Sequence, residues 1–112
     1  MDIVNSADEC WYYSEREIPK DLVEIGTRVI KAFDIRGRFF HTEYFRLYED
    51  KEGLGKKGDL VGLEVNMRPP GGYTPDMMNY ANDINVYLIY ANMAMYNEGL
   101  YKTDRPYHCV YV

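Results

Sequence analysis

Residues 62–76 read GLEVNMRPPGGYTPD, and the spacing of their polar side chains decides how the rest of the chain is read. A carboxylate, a carboxamide and a guanidinium occupy every second position of an apolar run that then breaks at Pro-Pro-Gly-Gly. A period of two predicts a β-strand, because successive side chains leave a pleated backbone on opposite faces. Glu64, Asn66 and Arg68 then share one face, and Val61, Leu63, Val65 and Met67 share the other.

The segment GRFFHTEYFRLY, residues 37–48, alternates in the same way and places Phe39, His41, Glu43, Phe45 and Leu47 on one face. Between the two runs lies EDKEGLGKKGD, rich in glycine and charge, which predicts an exposed hairpin loop with Lys56 and Lys57 at a solvated tip. On the N-terminal side, CWYYSEREI predicts a short strand closing into a turn at Pro19. The next run, PKDLVEIGTRVIKAF, repeats Leu22, Ile25, Val29 and Phe33 at helical spacing, with Pro19 suited to a first turn.

After Gly71 and Gly72, the run TPDMMNYANDINVYLIYANMAMYNEG predicts one long helix. Thr74 is its expected N-cap, Pro75 its first helical residue and Asp76 a first-turn acid. Met77, Ala81, Ile84, Leu88, Ala91 and Met95 form its expected buried stripe, and Gly99 its end. The six methionines read as core filler rather than as ligands. A last strand, PYHCVYV, closes an α+β fold: an antiparallel β-sheet with two main helices.

A chain of 112 residues forms one domain, residues 1–112, and buries one small core. The hydrophobic fraction of 46% and the twelve tyrosines belong to a folded protein. A net charge of −5 argues against non-specific nucleic-acid binding, which needs clustered Lys and Arg. Cys10 and Cys109 have no metal-ligand spacing and are expected to stay unpaired. No apolar run reaches the ~18 residues of a membrane span, and the acidic start MDIVNSADE is unlike a targeting signal. The cytoplasm is the expected location.

Antiparallel pairing of the two alternating runs, begun at Tyr48 with Asp59, sets Glu43 opposite Glu64. Like charges facing each other across a sheet repel, so a cation is expected between them. With the Asn66 carbonyl they make three hard oxygen donors, the set preferred by Mg²⁺ or Mn²⁺. Arg68 on the same face can hold a phosphate or carboxylate through two parallel hydrogen bonds. Pro69 and Pro70 end the ladder, Gly71 and Gly72 admit close approach of a ligand, and the following helix start offers N–H groups to an anion. The wet face of a half-exposed sheet explains the same spacing, and a one-residue slip would reverse every side chain.

The stretches GRFFHTEYFRL and LVGLEVNMRPPGGYTPDMMNYAND resemble the carboxy-terminal part of an ATP-grasp domain, the fold of ATP-dependent carboxylate–amine or thiol ligases such as carbamoyl-phosphate synthases and biotin carboxylases. The resemblance covers residues 10–112. It implies that Glu43, Glu64 and Asn66 hold Mg²⁺ on the phosphates of ATP and that Arg68 orients the transferred phosphoryl or acyl group as the catalytic cation. It also implies that the lysines touching ATP lie in an upstream lobe with no counterpart here, so the chain is expected to be a fragment, inactive or nearly so by itself. No glycine-rich loop ending in Lys-Ser or Lys-Thr is present.

Two functions follow as expectations. The first is the metal- and ATP-phosphate-binding lobe of a ligase that activates a small carboxylate as an acyl phosphate. The second is a non-catalytic assembly module that forms a homodimer through open edge strands at residues 10–16 and 107–112. His41 lies on the Glu43 face as a neighbour to the cation or the substrate, although a strand histidine without a role is the commoner case. His108 has no metal spacing, and no Ser/His/Asp or Cys/His set suggests covalent catalysis.

Overall fold

The computed structural model describes residues 11–99 and 104–112. The fold is α+β, with three helices and two antiparallel two-stranded sheets among the described residues. The chain divides into two compact units, Ile18–Pro70 and Met1–Glu17 with Gly71–Val112. No helix among the described residues is long and apolar enough to cross a membrane.

The Ile18–Pro70 unit holds helix α1 (Lys20–Ala32) and the strands β2 (His41–Arg46) and β3 (Leu60–Asn66); β1 (Tyr12–Tyr13) belongs to the other unit. Pro19 sits at the cap of α1 rather than inside it, with Asp21 in the first turn and Lys31 in the last, each complementing the helix dipole. Of the expected stripe, Leu22, Ile25 and Val29 are half-buried, whereas Phe33 is the C-cap residue and is exposed. Leu22 and Gly26 of α1 line a groove of about 350 Å³ together with Thr42, Tyr44, Arg46 and Leu60. Arg46, which lines the groove, is paired with Asp21 of α1, NH1 to Oδ2 2.6 Å. The strand face turned to the helix is therefore the one that carries Thr42 and Tyr44, not the more apolar one with Phe45, which is exposed.

The loop between β2 and β3 is a closed turn. Lys51 and Gly55 bridge through their backbones, Asp59 Oδ2 accepts the Lys56 N–H at 2.8 Å, and Asp50 Oδ1 accepts the Lys57 N–H at 2.8 Å. The backbones of Lys56 and Lys57 are thus held while both residues stay exposed, as a loop tip requires.

In the other unit, β1 (Tyr12–Tyr13) pairs antiparallel with β4 (Val110–Tyr111), Tyr12 opposite Tyr111. The two terminal segments expected to be open edges are thus each other's partners along one side. Ser14 extends the pairing by donating its N–H to the Cys109 carbonyl and accepting the Cys109 N–H on Oγ. Tyr111 stacks on both Tyr12 and Tyr73, with ring centroids 4.9 and 5.0 Å apart. Cys109 is a free thiol, and Cys10 lies outside the described residues.

The expected long helix is two: α2 (Thr74–Asn82) and α3 (Val86–Tyr96). Asp83 takes the left-handed conformation at φ 52° and ends α2. Asn79 Oδ1 then accepts the Val86 N–H at 2.6 Å, and Asn85 caps α3 by accepting the Leu88 N–H at 3.0 Å. Short polar side chains that bond nearby backbone compete with helix, and the run Asn-Tyr-Ala-Asn-Asp-Ile-Asn supplies several at once. The break resets the helical phase, so Met77 and Ala81 are buried but Leu88 and Met95 are not. Val86, outside the expected stripe, completes the buried set among the described residues. Thr74 is the first helical residue rather than the cap, a place Tyr73 takes, and α3 ends at Asn97 in the left-handed conformation before Gly99 is reached.

Candidate metal centre

The hairpin sets Glu43 directly opposite Glu64 and His41 opposite Asn66. Its register does not run straight from the loop, however. At the loop end Leu47, not Tyr48, meets Asp59, its N–H donating to the Asp59 carbonyl at 2.9 Å. That pairing continues through Phe45 with Val61 and Tyr44 with Gly62, and it would place Glu43 opposite Leu63. A β-bulge between Glu43 and Tyr44 leaves Leu63 unpaired and advances β3 by one residue. The facing glutamates are therefore made by the bulge.

At the centre of the site is His41. Its side chain is 13% exposed, against 51% for Glu43 and 42% for Glu64. Nε2 lies 3.5 Å from Glu64 Oε1 and 3.8 Å from Glu43 Oε1. One donor atom from each of the three residues falls within 4.8 Å of the others. On its far side, Nδ1 is 3.0 Å from the carbonyl oxygen of Arg68, and Asn66 Nδ2 is 3.1 Å from Nε2. A carbonyl can only accept, so Nδ1 carries the proton and, in the neutral ring, Nε2 accepts from the Asn66 amide.

Asn66 thus reaches the cluster, but presents its amide nitrogen rather than the oxygen expected of a ligand. Rotating the amide by half a turn exchanges the two. Arg68 lies at the edge: NH2 is 4.0 Å from Glu64 Oε1, while NH1 donates to the Pro69 carbonyl at 3.1 Å. More than half of its side chain is exposed, which leaves the guanidinium available to an anion. The helix start expected to face that anion, at Thr74 and Pro75, belongs to the other unit.

These donors suit a divalent cation. Metal bonds of about 2.1 Å place neighbouring donors about 3 Å apart, so each carboxylate need close on Nε2 by less than about 1 Å. Both carboxylates are exposed enough to move that far, whereas the ring is fixed by its backbone anchor. Spacing had singled out Glu43, Glu64, Asn66 and Arg68, and the fold brings all four to one end of the hairpin. Spacing undervalued His41, whose signal is its position across from Asn66 on the same face. His108 takes no part; it is exposed and lines a separate cleft with Glu15, Arg16, Glu17, Asp104 and Arg105.

Comparison with known proteins finds no matching family model, no matching curated protein and no matching solved structure.

Proposed function

We propose that the hairpin is a divalent-cation site serving a phosphate-bearing ligand, and that the chain is the metal- and ATP-phosphate-binding lobe of an ATP-grasp ligase. The observation that carries this reading is the pairing of Glu43 with Glu64, two like charges set face to face beside an imidazole and a carboxamide. Such a pair costs the fold unless positive charge joins it, and the Arg68 guanidinium reaches only to 4.0 Å from Glu64. When bound there, Mg²⁺ or Mn²⁺ would neutralise charge on the phosphates of ATP.

Each residue then has a task of its own. Glu43 and Glu64 hold the cation from opposite strands, and Asn66 supplies a neutral oxygen once its amide is turned. Arg68 takes the oxygens of a phosphoryl or carboxylate group and steadies the acyl phosphate formed from a small carboxylate. Such chemistry depends on positioning from a second lobe, so this chain by itself is inactive. The cytoplasm, where ATP is made and used, is its place of work.

The test is a Mn²⁺ titration of the chain followed by paramagnetic resonance, with and without ATP, beside a Glu64→Gln/Asn66→Ala double variant. Saturable binding that ATP tightens and the double variant loses supports the reading. A folded chain that binds no Mn²⁺ in either condition overturns it.

A further inference from the structure

We propose that His41 is itself a ligand of the hairpin cation, through Nε2, and that this nitrogen lets the site hold Zn²⁺ and Ni²⁺ as well, more tightly than its oxygen donors alone would. The inference rests on the cation reading above and names the class of ion that the site takes. Oxygen donors alone suit Mg²⁺ and Mn²⁺, whereas imidazole nitrogen suits the later first-row metals. Whether His41 ligates or merely lies nearby therefore decides how far the later metals are favoured.

Three features of the ring argue for ligation. Its proton is committed to the Arg68 carbonyl at 3.0 Å, which fixes the tautomer with the lone pair on Nε2. A backbone carbonyl behind the ring is the usual support for a metal-bound histidine, since it orients the imidazole and raises its basicity. The lone pair is on the side of both carboxylates, 3.5 and 3.8 Å away, so the nitrogen and the two oxygens converge on one volume.

Asn66 completes the argument. Without a cation its Nδ2 occupies the Nε2 lone pair at 3.1 Å. Turning the amide over withdraws that donor and brings Oδ1 to the same place, so one rotation both frees the nitrogen and adds an oxygen. A His41 that only buttressed Asn66 would have no such coupling, and its loss would weaken every ion alike.

The experiment uses the whole chain and four ions, Mg²⁺, Mn²⁺, Ni²⁺ and Zn²⁺, each titrated by calorimetry against wild type, His41→Gln and Glu64→Gln. Long-range proton–nitrogen spectra of the histidine rings follow the Zn²⁺ titration. Zn²⁺ and Ni²⁺ are expected to bind at least about tenfold more tightly than Mg²⁺, a margin that His41→Gln narrows by costing Zn²⁺ and Ni²⁺ more than Mg²⁺. Nε2 of His41 is expected to shift with Zn²⁺ while Nδ1 keeps its proton and the His108 ring is unmoved.

A margin undiminished in His41→Gln, or a His41 Nε2 that is silent while binding still depends on Glu64, overturns the ligand role and leaves the cation reading standing. Ion binding indifferent to Glu64→Gln overturns both. Should His41→Gln fail to fold, the nitrogen spectra of the wild-type chain decide alone.

Discussion

Nδ1 of His41, on β2, lies 3.0 Å from the carbonyl oxygen of Arg68, the second residue beyond the end of β3. The ring is thus held by backbone and not by the acidic side chains it faces. Its orientation survives their movement, which a site that closes on a ligand requires.

Glu64→Gln should stabilise the cation-free protein. It removes one of two carboxylates placed directly opposite each other, a relief of about 0.2–1 kcal/mol in a sheet. Urea denaturation at neutral pH with a chelator present measures it. Under saturating Mn²⁺ the order should reverse, because only the wild type then gains from binding. A variant no more stable than wild type in chelator would contradict the repulsion.

Asp21 and Arg46 give a stability term with a defined pH direction. The guanidinium 2.6 Å away holds the Asp21 carboxyl below its ordinary value of 3.8. A depressed folded value stabilises the fold above the unfolded value, and the contribution is lost as the pH falls through the folded one. Carbon-13 titration of the Asp21 carboxyl should move up in Arg46→Gln, and the acid-side loss of stability due to this pair should vanish with it. An unchanged Asp21 midpoint would sink the assignment.

Tyr44 carries a buried hydroxyl with no hydrogen-bond partner. Leaving such a group unpaired is costly, whereas deleting it removes the cost. Tyr44→Phe should therefore raise stability by about 1 kcal/mol in thermal or urea unfolding. A loss instead would show that the hydroxyl is satisfied in solution.

Asn85→Ala should loosen α3, since it removes the side chain that accepts the Leu88 N–H. Loss of an N-cap costs about 1 kcal/mol. Hydrogen exchange would report it locally: the amide of Leu88 should exchange faster, with those of α2 unaffected. Uniform acceleration across both helices would argue against a local cap.

Period-two spacing was enough to find β2 and β3, because alternation survives any partner, and it put the four site residues in one place. Counting back from Tyr48 opposite Asp59 pairs Glu43 with Glu64 only because two offsets cancel. The loop closes on Leu47 rather than Tyr48, and the bulge restores the lost residue. Neither offset has a pattern in composition; both depend on turn and bulge geometry that only the assembled strands fix. The break at Asp83 was less hidden. Its cluster of Asn and Asp was in view, but the apolar stripe running past it looked continuous, and local side-chain bonding outweighed the stripe. Which face of β2 meets α1 was not legible, since Thr42 and Tyr44 are no more apolar than Phe45.

Leu63 is the one residue in β3 that pairs with nothing, and the pairings on either side of it are complete without it. A chain lacking Leu63 could keep Glu43 with Glu64 and Tyr44 with Gly62. The residue is a spare link: what it adds is local twist, not connectivity. The hairpin can therefore tolerate a change of length at this point, where elsewhere in the strand a single deletion would turn the whole acidic face away from its imidazole.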